Sequence, residues 1–147
     1  MNGGERYGLF FLDTNILVYA QAANEPRKQP IAAALISDAL RTRRGLISTQ
    51  VVQEFLNVAT RHATPVFSPD EATEYLNTVL WPLCNHVPSR PLYELALQIR
   101  AETGYTLYDA LIVAAAVESG CRVLYSEDLQ QDRVVRGVCV VNPFAVE

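Results

Sequence analysis

Short apolar runs alternating with longer helix-patterned stretches predict an α/β protein. The expected form is a three-layer α/β/α sandwich around a central, mainly parallel sheet of about five strands. Turn residues bound each run, as buried parallel strands require. No repeat, low-complexity tract or linker interrupts the alternation, so the 147 residues, 50% of them hydrophobic, read as a single domain, 1–147.

The elements follow in order. "GLFFL" at 8–12 is a continuous apolar run and the first strand, ending on Asp13, and a helix is expected over 15–21. A second helix, 28–43, closes in "RTRR" at 41–44, where cations complement the helix dipole. "GLIS" at 45–48 is the second strand. The helix over 49–61 gathers Val51, Val52, Phe55, Leu56, Val58 and Ala59 on one broad arc, with Glu54 just past its edge. In "TPVFSPDEA", Ser68 is placed to cap a helix starting at Pro69 and running to 80. Tyr75, Leu76 and Trp81 form a helical stripe that suits either the core or a dimer surface. "LCNHV" at 83–87 is the third strand, and its "CNH" reads as a buried cysteine and a strand-end histidine rather than a zinc site. Helices over 90–102 and 107–119 come next. The latter has eight apolar residues in a row after Asp109 and Gly120 as its stop, so it is expected to be buried almost all round. "RVLYS" at 122–126 and "VCVV" at 138–141 complete the strands.

Composition narrows the function. The net charge of −4 argues against gripping nucleic acid through a broad cationic surface, although converging acids that hold Mg²⁺ reverse the local sign and recruit phosphate. Lys28 is the only lysine and sits in "NEPRKQP", which reads as a solvated loop. Cys84, Cys121 and Cys139 are odd in number and widely spaced, and "MNGGERYG" has no apolar leader core, which points to reduced thiols and a cytoplasmic protein. The longest apolar stretch, "ALIVAAAV" at 110–117, is too short to span a membrane.

Four acids stand out. Asp13 ends the first strand, where it either caps the following helix or faces a ligand crevice. Glu54 reaches the rim of the core or lies on a solvated flank. Asp109 occupies the first turn of a core helix, a position that suits the dipole and a metal ion equally. Asp128 follows "RVLYS" in "SED", which by itself is an ordinary polar turn. In a doubly wound sheet Asp13, Asp109 and Asp128 fall at element ends directed toward one crevice, with Glu54 on the helix after the second strand. Carboxylates that close repel one another, and divalent cations are the usual resolution.

"FLDTNILVYA", the glutamate of "TQVVQEFLNV", "LYDALIVAAA" and "LYSEDLQ", with acids spaced by 41, 55 and 19 residues, resemble the PIN domain, and in particular VapC-type toxins of toxin–antitoxin modules. The likeness extends to the closing "VVNPF". It implies a Mg²⁺- or Mn²⁺-dependent ribonuclease, with Asp13, Glu54, Asp109 and Asp128 as the metal-site acids. It further implies an RNA substrate, a cognate antitoxin and a homodimer. Ser126 occupies a position where many relatives carry threonine and keeps the hydroxyl, and Asn15 is placed to hydrogen-bond a neighbouring carboxylate. Two rivals remain. A haloacid-dehalogenase-like phosphatase wants a second aspartate where Asn15 stands and a buried lysine. An inactive PIN-like scaffold would keep the fold without the chemistry.

Overall fold

The computed structural model describes residues 8–63 and 65–146; "MNGGERY", read above for a leader, lies outside them. Its six-stranded sheet contains β1 (Leu9–Leu12), β2 (Gly45–Ser48), β3 (Cys84–His86), β4 (Cys121–Tyr125), β5 (Val134–Val135) and β6 (Val138–Val141). They lie in the order β3-β2-β1-β4-β6-β5, all pairings parallel except β5 with β6. The helices are α1 (Thr14–Ala20), α2 (Lys28–Thr42), α3 (Thr49–Ala59), α4 (Pro69–Tyr75), α5 (Trp81–Leu83), α6 (Arg90–Thr103) and α7 (Leu107–Glu118).

The chain winds outward from β1 to β2 and β3, then returns past β1 to β4 and β6. Strand order therefore reverses between β1 and β4, and a ligand crevice is expected beyond the carboxyl ends of that pair. The two strands are in register there, with Leu12 opposite Tyr125, and the Asp13 amide donates to the Tyr125 carbonyl at 3.0 Å. Phe11, Leu12, Ile16, Leu17, Ile47, Phe55 and Leu124 are fully buried around this junction. Every residue of α7 from Ala110 to Ala116 is buried, as its unbroken apolar run requires.

The predicted helix over 69–80 is interrupted: α4 passes into a π-helical turn, Leu76–Leu80, before α5. Its start is as expected, since the Glu71 amide donates to Ser68 Oγ at 3.2 Å while the Ser68 amide donates to Glu71 Oε1 at 3.0 Å. The stripe divides, with Tyr75 packing against Phe55 and Phe67 while Trp81 is 58% exposed. Strand β5 was not expected. It pairs Val134 with Cys139 and Val135 with Val138 across a two-residue turn, in which both Arg136 (φ 49°) and Gly137 (φ 86°) take the left-handed conformation. Arg136 is held there by Glu102 and by Gln98 Oε1 at 3.3 Å.

"RTRR" lies at the amino ends of the strands, away from the crevice: Arg43 is the left-handed cap of α2, and the Arg44 carbonyl accepts from the Phe10 amide. His86 Nε2 is 2.8 Å from Glu118 Oε1, and all three cysteines are free thiols. No helix among the described residues is long and apolar enough to cross a membrane.

At Gly45 helix and sheet meet most closely. A Cβ built there would lie 2.1 Å from the Ala39 Cβ of α2 and 2.7 Å from the Phe10 ring. Neither neighbour has room to retreat, because Ala39 is backbone-borne and Phe10 packs edge-on against Tyr125 at 5.6 Å. Gly45→Ala is therefore expected to cost about 1–3 kcal/mol through overpacking, and thermal denaturation should show a melting point lower by several degrees.

Candidate active site

The first strand stops at Leu12, and Asp13 follows it because the next residue begins α1. Asp13 is the extended N-cap of that helix, and its Oδ1 accepts from the Thr14 amide at 2.7 Å. The capping role is thus filled by one oxygen. The other, Oδ2, accepts from the fully buried Ser126 hydroxyl at 2.8 Å and lies 3.5 Å from Asn15 Nδ2. Asn15 Nδ2 also donates to Asp128 Oδ2 at 3.1 Å, and Asn15 Oδ1 accepts from the Glu127 amide at 3.3 Å. The Asp128 amide returns to Ser126 Oγ at 3.2 Å. Thr14 Oγ1 donates to Glu54 Oε1 at 3.1 Å, linking α3 to the same corner.

Asp13, Glu54 and Asp128 therefore meet through three small polar residues, Thr14, Asn15 and Ser126. Asn15 and Ser126 were expected to support the site. Thr14 carried no separate signal beyond its place in "FLDTNILVYA". A cleft of about 460 Å³ opens beside this corner, lined in part by Thr14, Asn15, Tyr19, Glu54, Asn57 and Asp128 but not by Asp13. Asp13 itself is only 7% exposed.

Asp109 stands apart from this network. Its amide donates to Thr106 Oγ1, the N-cap of α7, at 3.2 Å, and no hydrogen bond joins its carboxylate to the other three acids. One link does run between their helices: Gln50, one turn before Glu54 on α3, donates from Nε2 to the Tyr108 carbonyl at 3.1 Å. Among the described residues, no three acids are drawn together tightly enough to enclose an ion.

One residue of this region was misread from sequence. Lys28 is not in a solvated loop but is the first residue of α2, and its Nζ lies 2.6 Å from Glu127 Oε2 and 3.3 Å from the Tyr19 hydroxyl. Glu127 lies in the polar turn expected of it and also accepts from the Tyr19 hydroxyl at 2.6 Å. Burial works against its ionisation, but the hydrogen bonds from Lys28 and Tyr19 outweigh it and hold the carboxyl below its ordinary range.

Burial has the opposite outcome at Asp13. Removal from water pushes its carboxyl from 3.8 up to about 6, and the charges of Asp128 and Glu54 add to the rise, against the hydrogen bonds from Ser126 and Thr14. A carboxyl that holds its proton more tightly when folded contributes stability below its unfolded pKa and loses it as pH rises through the folded value. The removed charge is worth about 3 kcal/mol at neutral pH, and Asn gives up one acceptor that Asp has. In chelator, Asp13→Asn should be more stable than the parent by about 1–3 kcal/mol at about pH 7.5, and the advantage should vanish at about pH 4. Urea denaturation at both values measures this, and no advantage at the higher pH contradicts the electrostatic account.

Comparison with known proteins gives a consistent picture. Ribonuclease VapC7 of Mycobacterium tuberculosis is 27% identical over 129 residues, covering 82% of each chain. FitAcB from Neisseria gonorrhoeae superposes with a TM-score of 0.64 at 21% identity, over 94% of this chain and 100% of that one. VapC20 of Mycobacterium tuberculosis, a toxin that cleaves the sarcin-ricin loop, superposes with a TM-score of 0.57 at 20% identity, over 80% of this chain and 88% of that one. Residues 10–137, from the first strand through all four acids to the turn before the last strand, match the PIN domain, and the chain belongs to that family.

Proposed function

We propose that this protein is a divalent-metal-dependent endoribonuclease, the toxin of a toxin–antitoxin pair. The observation that carries the reading is the corner at the β1–β4 switch point, where Thr14, Asn15 and Ser126 tie a buried Asp13 to Glu54 and Asp128, two acids that line a cleft, in a PIN-family chain similar to a VapC ribonuclease.

The residues present fit a hard divalent cation. The cleft offers carboxylate, amide and hydroxyl oxygens and neither histidine nor cysteine, a donor set that suits Mg²⁺ or Mn²⁺ rather than zinc. Asp13, Glu54, Asp109 and Asp128 would hold it. Such an ion supplies the positive charge that acidifies water near neutral pH and stabilises an oxygen leaving phosphorus, so that a phosphodiester is hydrolysed without a protein nucleophile. The chain's own groups do the positioning. Ser126 and the Thr14 amide fix both oxygens of Asp13, Thr14 Oγ1 turns Glu54 toward it, and Asn15 spans Asp13 and Asp128. The phosphatase alternative is poorly served: Asn15 replaces the second aspartate, and Lys28 is occupied by Glu127.

The substrate in this reading is RNA, and the likeness to VapC-type toxins supplies the second partner, a cognate antitoxin protein. Free thiols suit a cytoplasmic setting. A homodimer is part of the same reading. Val87, Tyr93, Leu97 and Tyr108 are all 48% or more exposed. Tyr93 and Tyr108 border a cavity of about 290 Å³, also lined by Ser48 and His86, whose buried Oγ and Nδ1 atoms have no hydrogen-bond partner. A second copy covering this face would bury the exposed apolar groups.

Purified protein should cleave RNA with Mg²⁺ or Mn²⁺ and stop in excess EDTA. Asp109→Asn, which leaves the Thr106 cap intact, should lower the rate on the order of a hundredfold or more, as loss of a charge-stabilising group commonly does. Undiminished cleavage by that variant across a metal titration makes Asp109 a helix-start residue only. For the dimer, sedimentation velocity should find two copies for the parent and one for Leu97→Glu; a monomeric parent removes the dimer from the reading.

A further inference from the structure

The Ser126–Asp128 turn carries two adjacent carboxylates with different fates. Asp128 lines the cleft, whereas Glu127 is taken up by a separate group of residues. Lys28 Nζ donates to Glu127 Oε2 at 2.6 Å, and the Tyr19 hydroxyl donates to Glu127 Oε1 at 2.6 Å, so each oxygen has its own donor. The ammonium lies 4.6 Å from the centre of the Tyr19 ring and 5.6 Å from that of Phe144, and those rings pack edge to face at 5.0 Å. Two aromatic faces thus hold the cation in place. Its side chain is 21% exposed and that of Glu127 24%, so the pair is substantially shielded from water.

We infer that Lys28 is a positioning residue for the acid site: with Tyr19 it holds Glu127 outside the cleft, so that Asp128 is the carboxylate this turn presents. The inference rests on the metal-site reading above. The turn is clamped from two sides, by Asn15 on its Glu127 amide and Asp128 carboxylate and by Lys28 and Tyr19 on its Glu127 carboxylate. Releasing the second clamp leaves an unpaired carboxylate one residue from Asp128. Repulsion would then open the turn, and Glu127 would compete for whatever cation the acids bind. A lysine suits this work because its compact charge can donate to a carboxylate and a hydroxyl together.

The test compares Lys28→Met, Lys28→Arg, Tyr19→Phe and the double variant Lys28→Met/Glu127→Gln with the parent. Two readouts are used: Mn²⁺ affinity by calorimetry, and amide hydrogen exchange at Glu127 and Asp128 in EDTA. Lys28→Met should bind Mn²⁺ about tenfold to a hundredfold more weakly, the range for loss of a group that orients a ligand, and should exchange both amides faster. Lys28→Arg should restore part of both. The double variant should recover most of the Mn²⁺ affinity, because the loose carboxylate is gone. Equal affinity and equal exchange in Lys28→Met and parent overturn the inference, as does a double variant no better than the single. If the parent itself binds no Mn²⁺, the metal-site reading fails and the exchange rates alone decide the positioning role. If Lys28→Met does not fold, Tyr19→Phe decides by the same two measurements, since it removes one of the two donors to Glu127.

Discussion

Placing a carboxylate where water scarcely reaches it is the constraint on which this structure turns. Asp13 sits between two parallel strands at the point where the sheet changes direction, and its charge has to be met there by groups the fold itself brings. Those groups come from far apart in the chain. The Thr14 amide is local, but the Ser126 hydroxyl arrives from the end of β4, and the nearby negative charges of Glu54 and Asp128 arrive from α3 and the turn after β4. The β1–β4 pairing is therefore more than a step in sheet assembly. It sets the distance between the buried acid and the hydroxyl that supports it.

Small residues divide this labour. Thr14, Asn15 and Ser126 are short enough to stay inside the corner, and each bonds an acid directly. Larger side chains act around the outside. Gln50 ties α3 to the start of α7, while Tyr19 and Lys28, the latter against Phe144, hold the Glu127 carboxylate. Strong negative charge at the site is thereby matched by a particular arrangement of donors rather than by a cationic surface, in keeping with a chain whose net charge is −4.

Much of this was legible in the residues. Unbroken apolar runs marked the longer parallel strands, because burial on both faces leaves no room for polar alternation, and the acids at their ends marked the crevice. Ser68 ahead of Pro69 announced a helix start through chemistry confined to a few residues, and Glu71 completes the capping box there. What escaped was information held in distant pairs or very short elements. Lys28 looked solvated because its neighbours are polar, and the partner that draws it in is 99 positions away. A π-helical turn has no period of its own in five residues. Strand β5 has only two residues, and its turn uses Arg136 where asparagine would have given the usual signal. Asp109, whose sequence context was the most distinctive of the four, takes no part in the hydrogen bonds that link the other three acids.

That short strand has a consequence of its own. β6 is the last parallel strand, and without β5 its outer row of amides and carbonyls would lie open, a ready template for another chain to add to. Folding Val134 and Val135 back over it closes most of that row. The replacement edge is only two residues long and ends in a sharp turn anchored through Arg136 to α6. An edge that brief offers an incoming strand too few bonds to hold. A sequence half hydrophobic, with valines in five of the six strand positions of this hairpin, thus carries its own guard against sheet-to-sheet aggregation.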